Sequence, residues 1–202
     1  MIKAIAFDWG GIFTVGTFDS SAVENLAARY QMPQEKVAET YYPLMEEFEV
    51  GAFDLEGFYQ RFGERSGLKT GIGTFRDTFL GSVRERPEMF EVLAAIPEHY
   101  TVGMLSNNVP VLCDRVRSDP RMKRVEHFLF SNEIGVRKPD AKAFAHLSEA
   151  LDVSASQTIF VDDNRDNIAA AQELGYHGIL LDGFEGFLQG WRDALPNIPL
   201  NF

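Results

Sequence analysis

A chain of 202 residues, 45% hydrophobic and 24% charged, has the composition of a soluble globular protein and the length to bury a core. Its formal net charge of −11 argues against a nucleic-acid partner, which needs clustered Lys and Arg, and no apolar run reaches membrane-spanning length. The single cysteine, Cys113, excludes an internal disulfide and fits a cytoplasmic location, and Asp8 interrupts the first apolar run too soon for a signal peptide.

The first element is KAIAF (3–7), a buried-strand run that stops at Asp8, with Gly10 and Gly11 directly behind it. From 15 to 83 the pattern is helical. SAVENLAARY carries a Ser21–Glu24 capping box and an apolar face of Val23, Leu26, Ala27 and Tyr30. A second helix from Pro33 carries Val37, Tyr41, Leu44, Met45 and Phe48 and stops at Gly51. A third follows Asp54 with Leu55, Phe58, Tyr59 and Phe62, and a fourth starts near Thr74 with Phe75 and Phe79. The aromatic stripe is expected to be the insertion's own core.

Beyond it, strand-like runs alternate with helical ones. Pro87 opens a helix, and TVGMLS (101–106) and FLFS (128–131) read as strands. Asp140 caps AKAFAHLSEAL, TIFVDD (158–163) is a strand, Asn164 caps the run that closes at Gly175, and GILL (178–181) is the last strand. The tail LPNIPLNF is expected to be irregular. The fold class is therefore α/β: a Rossmann-like parallel sheet covered by helices, formed by residues 1–14 and 84–202, with an all-helical insertion over 15–83.

Ligands of such sheets bind beyond the carboxyl ends of the strands. Asp8, Ser106-Asn107 and Asp162-Asp163 all fall at predicted strand ends, and Lys138 precedes a helix after the third strand. Singly, each of these is an ordinary cap, turn or surface charge. Together at one sheet edge they suit phosphoryl transfer through an aspartyl-phosphate, with a carboxylate as nucleophile and a divalent cation to neutralise phosphate. Asp8, the Gly10 carbonyl and Asp163 offer Mg²⁺ three oxygens, Lys138 offsets the remaining charge, and Ser106 with backbone amides holds phosphoryl oxygens. The glycines let the main chain aim its carbonyl and amides at no Cβ cost.

FDWGGIFT, LSNN, RKPDAKAF and FVDDNRDNIAAAQELG resemble the four ordered motifs of the haloacid dehalogenase superfamily, and the 15–83 insertion is similar to its helical cap. The pattern is most similar to bacterial sugar-phosphate phosphatases of the glucose-1-phosphate type and to the phosphatase domain attached to epoxide hydrolases. The resemblance implies Asp8 as nucleophile and metal ligand, with Gly10 (by its carbonyl) and Asp163 as the other ligands of Mg²⁺. It implies Gly11, Ser106, Asn107 and Lys138 around the phosphate, with Asp162 and Asn167 behind them. A small phosphorylated molecule is the implied partner; oligomeric state is not indicated.

Gly10 departs from the pattern, because phosphatases of this superfamily usually carry a second Asp there as general acid and base. Three expectations follow: a group from the cap or water substitutes, the substrate has an easy leaving group such as the anomeric oxygen of a sugar 1-phosphate, or the chain only binds. A dehalogenase also lacks the second acid, but it needs no metal and has no use for Asp162-Asp163. A phosphomutase normally needs the acid that Gly10 lacks. A non-catalytic sensor is opposed by the intact Asp8 and Lys138. In the insertion, EEFEVGAF offers Glu47 or Phe48 for a substrate entrance, with packing as the default reading of both, and Arg137 is a candidate for an anionic substrate or a surface ion pair.

Overall fold

The computed structural model describes residues 1–16, 18–68, 70–200 and 202; Thr17, Lys69 and Asn201, which fall within the expected insertion and tail, lie outside it. All five expected strands form: β1 Ala4–Phe7, β2 Thr101–Ser106, β3 His127–Phe130, β4 Thr158–Asp162 and β5 His177–Leu180. They make one parallel sheet in the order β3-β2-β1-β4-β5, with Ala4 opposite both Thr101 and Thr158. Every residue of β1 is buried, with Ile5 and Phe7 in one apolar cluster and Ala4 and Ala6 in the other. A strand covered on both faces needs apolar residues at every position, which is why β1 shows no alternation in polarity.

The helices that cover the sheet are α5 Pro87–Ala94, α6 Pro110–Ser118, the single turn α7 Ser131–Ile134, α8 Ala141–Leu151, α9 Arg165–Glu173 and α10 Phe184–Ala194, taking α1 to α4 as the insertion. Asp140 caps α8 by accepting from Lys142 N–H, and Asn164 caps α9 by accepting from Asp166 N–H at 2.8 Å. This cap holds the start of α9 against the end of β4, so Asn164→Ala should cost about 1 kcal/mol in denaturant unfolding.

The insertion consists of α1 Phe18–Tyr30, α2 Gln34–Phe48, α3 Leu55–Ser66 and α4 Ile72–Leu80. Its core is the expected stripe: Tyr41, Phe48, Phe58, Phe62, Phe75 and Phe79 are all fully buried. Phe58 sits among them, with ring centroids 5.2 Å from Phe48 and 6.0 Å from Phe75. The capping box at Ser21 is not used. Helix α1 begins three residues earlier at Phe18, whose ring packs edge-on at 4.7 Å against Phe79 and anchors the first turn in the core. The two chain crossings to the sheet lie side by side, joined by an antiparallel bridge between Thr14 and Glu85. Among the described residues, no helix is long and apolar enough to cross a membrane.

Candidate active site

The parallel sheet brings the strand-end residues to one edge. Asp8 continues β1 by one residue, its N–H donating to Val161 O at 2.9 Å, and its Oδ1 accepts from Trp9 N–H at 2.7 Å. The chain then turns, with Phe13 N–H donating back to Trp9 O. Gly11 has φ +70°, and a Cβ on it would lie 1.9 Å from Asp163 Oδ2. Only glycine lets this turn approach Asp163 so closely.

Lys138 lies beneath the two acids. Its side chain is fully buried, with Nζ 2.6 Å from Asp162 Oδ2 and 3.1 Å from Asp8 Oδ1. Burial acts to lower the lysine's pKa, but Asp162 and Asp8 outweigh it and the net shift is upward, so Lys138 stays charged. Asp162 is also held by Asn164 N–H at 2.8 Å and by the Asn167 amide at 3.1 and 3.2 Å. Its lone pairs are occupied, which orients it toward Lys138. Asn107 is locked onto the lysine's main chain, accepting from Lys138 N–H at 2.8 Å and donating to Lys138 O at 3.0 Å. Ser106 Oγ is buried near Asp8 and makes no well-directed hydrogen bond, leaving a hydroxyl available for an incoming oxygen.

Carboxylate oxygens of Asp8, Asp162 and Asp163 lie within 4.8 Å of one another, and one lysine does not balance three acids. Burial pushes the Asp8 carboxyl up to about 7; Lys138 opposes this, while Asp162 and Asp163 add to it. Asp163 is likewise raised, by burial and then by Asp162. A hard divalent cation is the partner this oxygen set fits, and Asp8 and Asp163 are the two acids not already saturated by hydrogen bonds.

Above the acids is a cavity of 160 Å³ between sheet edge and insertion, lined on the sheet side by Asp8, Gly10, Asn107 and Asp163 and on the other by Phe18, Asp19, Met45 and Glu49. Of the two residues that EEFEVGAF offers for the entrance, neither lines it, and Phe48 follows the default packing reading. Phe48 is fully inside the helical core and Glu47 is exposed. Glu49 takes that place because it sits one helical turn beyond Met45, on the same face. Glu49 is only 6% exposed, and Arg137 Nη2 lies 2.9 Å from its Oε2. Arg137 thus lines the cavity and sets its guanidinium against the Glu49 carboxyl. Sequence reading also passed over Asp19, which accepts from Tyr41 OH at 2.9 Å. Three acids in EEFEV look alike in sequence; the burial that separates them is tertiary.

A family model described as haloacid dehalogenase-like hydrolase matches residues 2–175. Among curated proteins, a sesquiterpene phosphatase of Aspergillus oryzae is 28% identical over 189 residues, 89% of this chain and 89% of that one. A D-ribitol-5-phosphate phosphatase of Bacteroides thetaiotaomicron is 25% identical over 186 residues, 87% of this chain and 90% of that one. Among solved structures, a HAD family enzyme of Bacteroides thetaiotaomicron in complex with magnesium and inorganic phosphate has a TM-score of 0.76 and 22% identity, over 89% of this chain and 94% of that one. At that identity the likeness is one of fold.

Proposed function

The chain belongs to the haloacid dehalogenase-like hydrolases, and on that premise we propose that it is a Mg²⁺-dependent phosphatase cleaving a small phosphomonoester through an aspartyl-phosphate on Asp8. The observation that carries this reading is the cluster of Asp8, Asp162 and Asp163 over a buried lysine at the floor of a cavity. The phosphatase names of the two relatives support it. The helical insertion serves as the cap, with 15–83 as its span, and the cavity beneath it suits a small ligand.

In this reading the Asp8 carboxylate attacks phosphorus while Lys138 holds it in place and offsets the charge of the phosphoryl oxygens. Asp163, with Asp8 and the Gly10 carbonyl, holds the Mg²⁺, which when bound neutralises phosphate against three acids. Asp162 and Asn167 fix Lys138, and Asn107 fixes the same lysine through its main chain. Ser106 Oγ completes the phosphate cradle, whereas the Gly11 N–H, expected to join it, already donates to Thr14 Oγ1 at 2.8 Å, so Gly11 serves by shaping the turn. The two relatives' names point the first substrates to test toward alkyl phosphates.

The test is phosphate release from ribitol 5-phosphate, glucose 1-phosphate, glucose 6-phosphate, farnesyl phosphate, AMP and 4-nitrophenyl phosphate, with Mg²⁺ and with EDTA. Release on at least one substrate, lost in EDTA and regained on adding excess Mg²⁺, is the expected result. Silence across the panel from folded protein would sink the phosphatase reading and leave a phosphate-binding role.

A further inference from the structure

The first turn has no acid to protonate a leaving group, and the cap brings one to the same cavity. A Cβ built on Gly10 meets nothing within 4 Å, so the turn leaves open space where a side chain would stand. Across the cavity, the turn after α2 is seated directly on the sheet domain: Gly51 has φ +77°, and a Cβ there would lie 2.6 Å from Asn132 O. Two residues before it, Glu49 is buried against Arg137, the neighbour of Lys138 in the chain. We propose that Glu49 is the proton donor to the ester's leaving oxygen and then the base for the hydrolytic water, the part that Gly10 leaves unfilled. The proposal rests on the phosphatase reading above.

The proton balance is simple. Asp8 attacks phosphorus, the bond from phosphorus to the ester oxygen breaks with its electron pair on that oxygen, and Glu49 gives it a proton. Glu49, now a carboxylate, takes a proton from the water that attacks the aspartyl-phosphate at phosphorus. The bond from Asp8 to phosphorus breaks, inorganic phosphate leaves, and both carboxyls are restored.

The surroundings suit the role. Glu49 faces Asp19 from α1, Tyr41 and Glu46 from its own helix, Asp8 from the end of β1, and Arg137 and Lys138 from the segment before α8. Burial first, then Asp19, pushes its carboxyl up to about 8, against the opposing pull of Arg137. Asp19 is raised by burial too, but the hydrogen bond from Tyr41 favours its charged form. Both neighbouring carboxyls are thus raised, and Glu49, raised to about 8, is available as an acid near neutral pH.

The discriminating experiment compares wild type and Glu49→Gln on ribitol 5-phosphate and farnesyl phosphate, whose alkoxide leaving groups need a proton, and on 4-nitrophenyl phosphate, whose phenolate does not. The expected loss in kcat/KM, which reports the leaving-group step, is about 10²–10⁴-fold for the alkyl esters and far less for the aryl ester, while kcat falls for both because they share the water-attack step in which Glu49 is the base. Wild-type turnover of the alkyl esters should fall as pH rises past about 8, as the acid form is lost, and this limb should vanish in the variant. Gly10→Asp placed in the Glu49→Gln background should return alkyl turnover by at least about tenfold, since it restores a positioned acid. Equal loss of kcat/KM on both ester types, or no loss, overturns the proposal and leaves the phosphatase reading intact. A wild type that cleaves only the aryl ester overturns it too. No phosphate release from wild-type protein on any substrate defeats the underlying reading instead.

Discussion

Asp8→Asn should abolish phosphate release, by about 10⁴-fold or more, while leaving the protein folded. The carboxamide keeps the shape of the side chain, and its oxygen still accepts the 2.7 Å hydrogen bond from Trp9 N–H. Lys138 keeps its shorter contact, 2.6 Å to Asp162, so the substitution strands no cation. What disappears is the negative oxygen that attacks phosphorus, and no neighbour replaces it: Asp162 is held by Lys138, Asn164 and Asn167, and Asp163 is the acid assigned to the metal in the proposed site. The measurement has two parts. Phosphate release is followed on the best substrate, and acid-quenched wild type is digested and searched by mass spectrometry for phosphate on the peptide containing Asp8. Persistent release in the variant, or phosphate on a different peptide, would remove Asp8 from the mechanism.

Much of this site is legible without coordinates because parallel topology does geometric work. Asp8, Ser106, Lys138 and Asp163 are far apart in the chain, but strand ends in a parallel sheet share an edge, so identifying the strands brings the residues together. The strands themselves are readable because burial on both faces demands continuous apolar runs. Where sequence reading fails, the deciding force is tertiary. Helix α10 has Phe184, Phe187, Leu188 and Trp191 at helical spacing, but Gly183, Gly186 and Gly190 in or beside its eleven residues weaken its local propensity, and burial of Phe187, Leu188 and Trp191 holds it. Gly190 there admits Ile179, whose Cγ2 would lie 3.2 Å from an added Cβ. Glu49 is hidden for the same reason. Helical spacing sets it on the face of Met45, away from Glu46 and Glu47, but its burial comes from the docking of the Gly51 turn onto Asn132.

If Glu49 is the acid proposed above, that dependence makes the cap part of the chemistry rather than a lid alone. Arg137 reaches from the segment before α8 to Glu49 at 2.9 Å and to Glu46 at 3.5 Å, so closure sets both the cavity wall and the charge around Glu49. If Glu49 supplies the proton, the expectation of an easy leaving group such as a sugar's anomeric oxygen is no longer required by Gly10. The glucose 1-phosphate to 6-phosphate ratio then reports cap contacts and not leaving-group chemistry.

The second large effect is on Lys138, and here stability and catalysis should fall together. Lys138 is the fully buried cation between Asp8 and Asp162, and its ammonium also lies 5.2 Å from the Phe160 ring centroid. Lys138→Met fills similar volume with an apolar chain, so packing is nearly kept and the change isolates charge. It leaves two buried carboxylates with no cation. Breaking a buried ion pair by removing one partner costs about 3–5 kcal/mol, far more than the pair's net contribution, because the remaining charge is stranded. For a chain of this size that corresponds to a fall in Tm of roughly 10 °C. Loss of the charge that holds Asp8 and the phosphoryl oxygens should lower kcat by about 10²–10³-fold. A double substitution separates the two effects. Adding Asp162→Asn removes the stranded acid that lies closest, so Lys138→Met with Asp162→Asn should regain much of the lost Tm while activity stays low. Saturating Mg²⁺ should also raise the Tm of Lys138→Met, since a cation bound only by the folded state stabilises it. A Tm for Lys138→Met within a degree or two of wild type would mean that the buried carboxylates find compensation without the lysine, and its place at the centre of the site would have to be given up.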